Sequence, residues 1–196
     1  MLKVALTGGI ATGKTYVAAK LRAKGIPVLD ADALAHGVMA AGTEATAAIA
    51  ARFGADILAG DGSVNRAKLG PIVFADPAAR RELEAIVHPA VHRATEAGIR
   101  AFELTGDYTM AVVDVPLLFE TGGDKKFDRI IVTTCPLEMQ IARMGERGLS
   151  EAAARQRLAA QLPGDVKAAG ADYVIDTSGT FEQTDRQIDS CLASLT

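Results

Sequence analysis

The chain has 196 residues, enough for one substantial hydrophobic core with an inserted subdomain but short for two independent domains of ordinary size. Hydrophobic residues make up 49% and charged residues 23%, the balance of a packed globule, which excludes an extended disordered chain. The formal net charge of -3 speaks against a general binder of nucleic acid or anionic membranes, yet leaves room for a local arginine cluster around a phosphorylated small molecule.

In chain order, the opening "MLKVALTGG" has too short an apolar stretch for a signal peptide, and no later run approaches the roughly 18 apolar residues of a membrane span. A cytoplasmic protein is expected. The first strand, around residues 2–6, runs into "GGIATGKT" at residues 8–15. That octapeptide fits the phosphate-loop pattern GxxxxGK[ST], with Gly8, Gly13, Lys14 and Thr15 at the fixed positions. Glycines let the backbone wrap a phosphate, the N–H groups of the loop and of the following helix point inward, and the helix dipole favours the negative charge. Gly9, Ile10, Ala11 and Thr12 complete the cradle, Lys14 is placed to reach the terminal phosphates of ATP, and the Thr15 hydroxyl to ligate magnesium.

A second strand at 26–29 leads into "PVLDADALAH", where Asp30 and Asp32 stand one alanine apart. Either acid suits a helix N-cap, a metal site or a base for a substrate hydroxyl, and local sequence does not choose. In parallel sheets ligands bind beyond the carboxyl ends of the strands, so both acids are expected on the edge that carries the phosphates. Some 80 residues of mainly helical character follow, forming an inserted subdomain. Its clearest helix begins after Asp76 and Pro77 and shows apolar spacing through Leu83, Ile86, Val87, Ala90 and Val91. Pro89 lies inside that pattern, so a kink or break is expected there.

Further strands are expected at 111–115, 129–133 and 173–175, giving five parallel strands covered by helices on both faces. Asp114 ends the run "MAVVD", where an acid could hold magnesium through water, or else cap or turn the chain before Pro116. The segment "PLEMQIARMGERGLSEAAARQRLAAQLP" reads as two helices hinged at "GERGLS". Arg143 and Arg147, four apart on one face beside that hinge, suit a lid that closes over ATP. Cys135 and Cys191 form no CxxC and are expected to be reduced and structural. His88 and His92 would need further ligands, not evident in the sequence, to bind zinc. No NKxD guanine-reading segment is present, which separates the chain from guanine-nucleotide switches.

Together, "TGGIATGKT", "VLDADALAH", "FGADILAGDGSVNRAKL", "VFADPAARRELEAIVHP", "VVDVPLLFE" and "ADYVIDTSG" resemble the dephospho-coenzyme A kinases in order and spacing, from Leu2 to about Gly179. The resemblance implies an α/β phosphate-loop NTPase fold of the nucleoside-kinase type. It carries a five-stranded parallel sheet in the order 2-3-1-4-5, a helical insert for the coenzyme A precursor at 33–106 and a helical lid at 141–170, with the core formed by 1–32, 107–140 and 171–196. It implies phosphorylation of the ribose 3'-hydroxyl of dephospho-coenzyme A by ATP with Mg2+, in a monomer or weak homo-oligomer. By motif position, Asp32 is the base, Lys14 and Arg143 are phosphate-stabilising cations, Arg147 and Thr177 belong to the nucleotide site, and Arg66, His88, Pro116 and Leu117 to the acceptor pocket. The rivals are a kinase of another small alcohol or nucleotide and a nucleotide-dependent switch or ATPase. Three departures stand out. Ala11 replaces a usual glycine, tolerable if that position needs no positive φ; Thr177 replaces a common asparagine; and Gly170 stands where a basic residue often precedes "AD".

Overall fold

The computed structural model describes residues 1–195. Its elements run β1 (Leu2–Gly8), α1 (Lys14–Ala23), β2 (Val28–Asp30), α2 (Ala31–Val38), α3 (Glu44–Phe53), α4 (Arg66–Ala75), α5 (Pro77–Thr105), β3 (Met110–Asp114) and β4 (Arg129–Thr134). There follow α6 (Leu137–Glu146), α7 (Glu151–Ala159), α8 (Gly164–Ala169), β5 (Tyr173–Asp176) and α9 (Phe181–Leu195). The chain divides into two compact units, Met1–Leu29 with the chain from Phe102 onward, and Asp30–Ala101.

In the first unit the strands lie in the order β2-β3-β1-β4-β5, as the family resemblance implied. β1 pairs in parallel with β3 and with β4, and β4 with β5. Every residue of β3 is buried, as a strand covered on both faces requires. Val4 and Leu6 of β1 face one way, into a core with Val17 and Leu21 of α1 and Ile188 of α9. Ala5 between them faces the other, with Leu118, Ile130 and Val132. Each fully buried Leu, Ile or Val contributes about 1.5–3 kcal/mol, so this double layer fixes where β1 ends and the loop after it begins. The register sets Asp114 beside Leu6 and Thr133 beside Gly8, which brings both side chains to the base of that loop. No described helix is long and apolar enough to cross a membrane.

The same unit encloses a charge pair that the sequence did not signal. Lys167 of α8 is wholly buried, and its Nζ lies 2.7 Å from Glu120 Oε1. Glu120 Oε1 also accepts the backbone N–H of Leu162 at 3.1 Å. Burial pushes the Glu120 carboxyl up, but the Lys167 ammonium and the N–H groups of Glu120 and Leu162 outweigh it and hold the group below the ordinary glutamate range. Its stabilising contribution is therefore complete above the usual value near 4.3 and is lost as pH falls through the lowered folded value. Lys167→Met is expected to cost about 3–5 kcal/mol in urea unfolding at neutral pH, because it strands a carboxylate. The double variant with Glu120→Leu should recover most of that loss.

The second unit packs Ile49, Ile57, Val64 and Leu69 against Leu83, Ile86 and Val87 of α5, the apolar stripe expected from their spacing. Side-chain caps explain its helix starts. Thr43 accepts from Thr46 N–H, Asn65 from Ala67 and Lys68 N–H, and Asp76 from Ala78 N–H ahead of Pro77. The break expected at Pro89 does not occur, and α5 continues through it to Thr105. Proline removes one backbone donor, and the packing of Leu83, Ile86, Val87 and buried Ala90 holds the helix across that gap.

Candidate active site

In the loop between β1 and α1, four successive carbonyls each meet a side-chain donor. Gly9 O accepts from Thr12 Oγ1 at 2.8 Å, Ile10 O from Gln140 Nε2 at 2.7 Å, Ala11 O from Arg143 Nη1 at 3.1 Å, and Thr12 O from Thr177 Oγ1 at 2.8 Å. Helix α1 starts at an N-cap, Gly13, with no side-chain cap and no acid in its first turn. An N-terminus left with uncapped N–H groups and a favourable dipole is an anion site. Gly13 holds φ 83, and a Cβ there would come within 3.0 Å of Thr177 Oγ1, so both its conformation and its surroundings call for glycine.

Lys14 Nζ pairs with Asp114 Oδ1 at the end of β3. Thr15, next in α1, is exposed. Lys14 and Thr15 thus open α1 directly after the loop, and Asp114 is tied to its edge through Lys14. Arg143 of α6 serves the loop directly: besides Ala11 O, it donates from Nη1 to Thr177 Oγ1 at 3.1 Å and from Nη2 to Thr177 O at 2.7 Å. It binds the phosphate loop to the segment after β5. Thr177, buried, is the hub of this bracing, a role its hydroxyl fills by accepting from Arg143 and donating to Thr12 O. Arg147 follows α6 and lines a cavity of about 370 Å³ with Ala11, Gly13, Tyr16, Thr177 and Phe181. The rings of Tyr16 and Phe181 lie 4.7 Å apart at its edge, an apolar wall that the sequence did not disclose.

Ala11 corrects one expectation, since it does take a positive φ, 60°. An L-residue pays about 1–2 kcal/mol there. The buried methyl packs with Met144 and Ala154, recovering about 0.8 kcal/mol, and alanine spares about 0.4–1 kcal/mol of unfolded-chain entropy relative to glycine. Ala11→Gly should therefore shift denaturant stability by less than about 1 kcal/mol. Ala11→Val, branched and overpacked, should cost about 1–3 kcal/mol. At Gly170 a Cβ would meet Phe119 Cε1 at 2.7 Å, so this chain fills with an aromatic ring the space a longer residue would need. The cysteines are free; burial raises the Cys191 thiol to about 11 and raises Cys135 as well, against the opposing Arg143 guanidinium, which disfavours the thiolate at both.

In the second unit, Asp30 caps α2, its Oδ1 accepting from Asp32 N–H at 2.9 Å and Ala33 N–H at 3.0 Å. Asp32 stands exposed in the first turn. His36, one turn further along the same face, contacts the Arg66 guanidinium at the start of α4. The i, i+4 spacing of His36 from Asp32 is the one sequence signal of this placement, and the contact with Arg66 is not legible from it. His88 lies exposed on α5. In the first unit, Pro116 O accepts from Thr7 Oγ1 at 3.4 Å and Leu117 is 43% exposed just beyond β3.

Comparison with known proteins places the chain in a family along nearly its whole length. The model of the dephospho-CoA kinase family matches residues 2–183. Dephospho-CoA kinases of Anaeromyxobacter dehalogenans and Syntrophotalea carbinolica are 48% and 43% identical over 196 residues, covering all of this chain and 92% of each relative. A crystal structure from Thermus thermophilus, 34% identical, superposes with a TM-score of 0.82 over 100% of this chain and 98% of its own. Shikimate kinase of Acinetobacter baumannii, 17% identical with a TM-score of 0.50, shares the fold alone. With a phosphate loop braced from outside and this agreement from end to end, the chain belongs to the dephospho-CoA kinase family.

Proposed function

We propose that the chain transfers the terminal phosphoryl group of ATP to the ribose 3'-hydroxyl of dephospho-coenzyme A, yielding coenzyme A and ADP in the cytoplasm. The observation that carries this reading is the loop itself: its carbonyls are held by side-chain donors, and the uncapped start of α1 is left for phosphate. The adenine enters the cavity walled by Tyr16 and Phe181. Lys14 and Arg147 neutralise charge on the phosphates, with Arg143 bracing the loop and turning its remaining donor capacity to the same charge. The Thr15 hydroxyl and the Asp114 carboxylate are hard oxygen donors that would hold Mg2+, which when bound neutralises charge between the phosphates.

The insert, residues 33–106, binds the acceptor, whose adenosine and phosphates suit the cationic and imidazole side chains of Arg66, His36 and His88; Pro116 and Leu117 are the acceptor residues assigned to the first unit. Asp32 orients the 3'-hydroxyl and takes its proton as the oxygen attacks in line. The lid, residues 141–170, excludes the water that would otherwise hydrolyse ATP. The enzyme works as a monomer or weak homo-oligomer on small molecules, without nucleic acid. The test is ADP release from Mg-ATP with a panel of acceptors. Dephospho-coenzyme A should stimulate it strongly, and shikimate and adenosine should not; release independent of acceptor would favour an ATPase, and stimulation by another alcohol a different kinase.

A further inference from the structure

We infer that Gln140 and Gln161 are positioning residues that hold the two successive peptide groups flanking Ile10 in the phosphate loop, Gln140 as a donor to the Ile10–Ala11 peptide and Gln161 as an acceptor from the Gly9–Ile10 peptide. This rests on reading residues 8–15 as the ATP phosphate site. Gln140 Nε2 donates to Ile10 O at 2.7 Å, and Ile10 N–H donates to Gln161 Oε1 at 2.9 Å. A carbonyl can only accept and an N–H can only donate, so the orientation of each side-chain amide is dictated by the peptide it meets. Gln140 is buried on α6, and Gln161 lies between α7 and α8.

Gly9 supports the Gln140 half of the clamp independently. A Cβ at Gly9 would stand 2.9 Å from Gln140 Nε2, so a glycine leaves that amide room to reach Ile10 O, whereas Gln161 Oε1, 3.9 Å away, would meet it only in ordinary contact. Gln161 is itself held, because the N–H of the following Leu162 donates to Glu120, which Lys167 anchors. The peptide groups on either side of Ile10 are thus each fixed in orientation, one by a group on α6 and the other by one in the segment after α7. The Ile10 N–H is taken up by Gln161, and the Ile10 carbonyl is kept by Gln140 from rotating into the space of the phosphates. The same groups tie the segment between α7 and α8 to the loop.

The roles differ in a way substitution can read. A glutamate at 161 keeps an acceptor for Ile10 N–H, whereas a glutamate at 140 sets a carboxylate against Ile10 O; both changes add the same charge. Equilibrium binding of Mg-ATP, without acceptor, is measured for Q140M, Q140E, Q161M and Q161E, with thermal melting to confirm that each variant is folded. Q140M, Q140E and Q161M should weaken binding by about tenfold or more, and Q161E by no more than about threefold. Equal losses for Q140E and Q161E, or unchanged binding in Q140M and Q161M, would overturn the clamp. If the Gln140 variants do not fold, Q161M against Q161E decides alone: equal affinities overturn the proposal and the stated difference upholds it. Failure of the unaltered protein to bind ATP would instead defeat the reading of the loop.

Discussion

Asp32→Asn is expected to lower kcat by about two orders of magnitude or more while ATP binding stays close to that of the unaltered protein. Asparagine preserves size and hydrogen bonding at the first turn of α2 but cannot accept the proton of an attacking hydroxyl. The neighbouring acid supplies the control. Asp30 is engaged as the cap of α2 through Asp32 and Ala33 N–H, and asparagine caps about as well as aspartate. Asp30→Asn should therefore leave kcat within about threefold. Equal losses in the two variants, measured under saturating ATP and acceptor, would take the base assignment away from Asp32.

Lys14→Met should reduce turnover by about 10²–10³-fold, the usual effect of removing a preorganised group that meets charge developing in the transition state. It should also lower the melting temperature, because Asp114, 7% exposed, loses the ammonium it pairs with. The two effects separate in Lys14→Arg, which keeps a cation beside Asp114 but cannot reproduce the compact ammonium at the phosphates. Its stability should stay close to that of the unaltered protein while turnover stays low. Recovery of turnover with stability would mean that Lys14 matters only as a structural partner of Asp114.

The parts of the fold visible in the sequence were those with a strong local signal. Continuous apolar runs marked all five strands, and the GxxxxGK[ST] spacing located the loop. Ser150, with Gly148 at φ 84 ahead of it, divided α6 from α7 as expected. Long-range partnerships were not visible. Gln140 and Gln161 meet Ile10 across separations of 130 and 151 residues, and a glutamine on a helix or in a loop looks like any solvated polar residue until the chain folds. Lys167 carried the opposite signal, since a lysine is seldom fully buried and nothing near it in sequence announces Glu120. Pro89 misled because the rule against proline in helices weighs one lost donor, whereas the apolar stripe of α5 weighs many buried contacts.

Asp30 and Asp32 show how structure divides what spacing leaves equal. Adjacent in chemistry and one residue apart, they differ once α2 is formed, because only Asp30 stands where its oxygen meets the first free N–H groups of the helix.

The central claim is transfer to one hydroxyl of one acceptor, and the product tests it directly. Incubation with Mg-ATP and dephospho-coenzyme A, followed by phosphorus NMR, should give ADP and a new phosphomonoester on the ribose 3'-oxygen in equal amounts, with no ADP formed from the 3'-deoxy analogue. Phosphate at another position, or ADP accumulating as fast with the 3'-deoxy analogue, would contradict it.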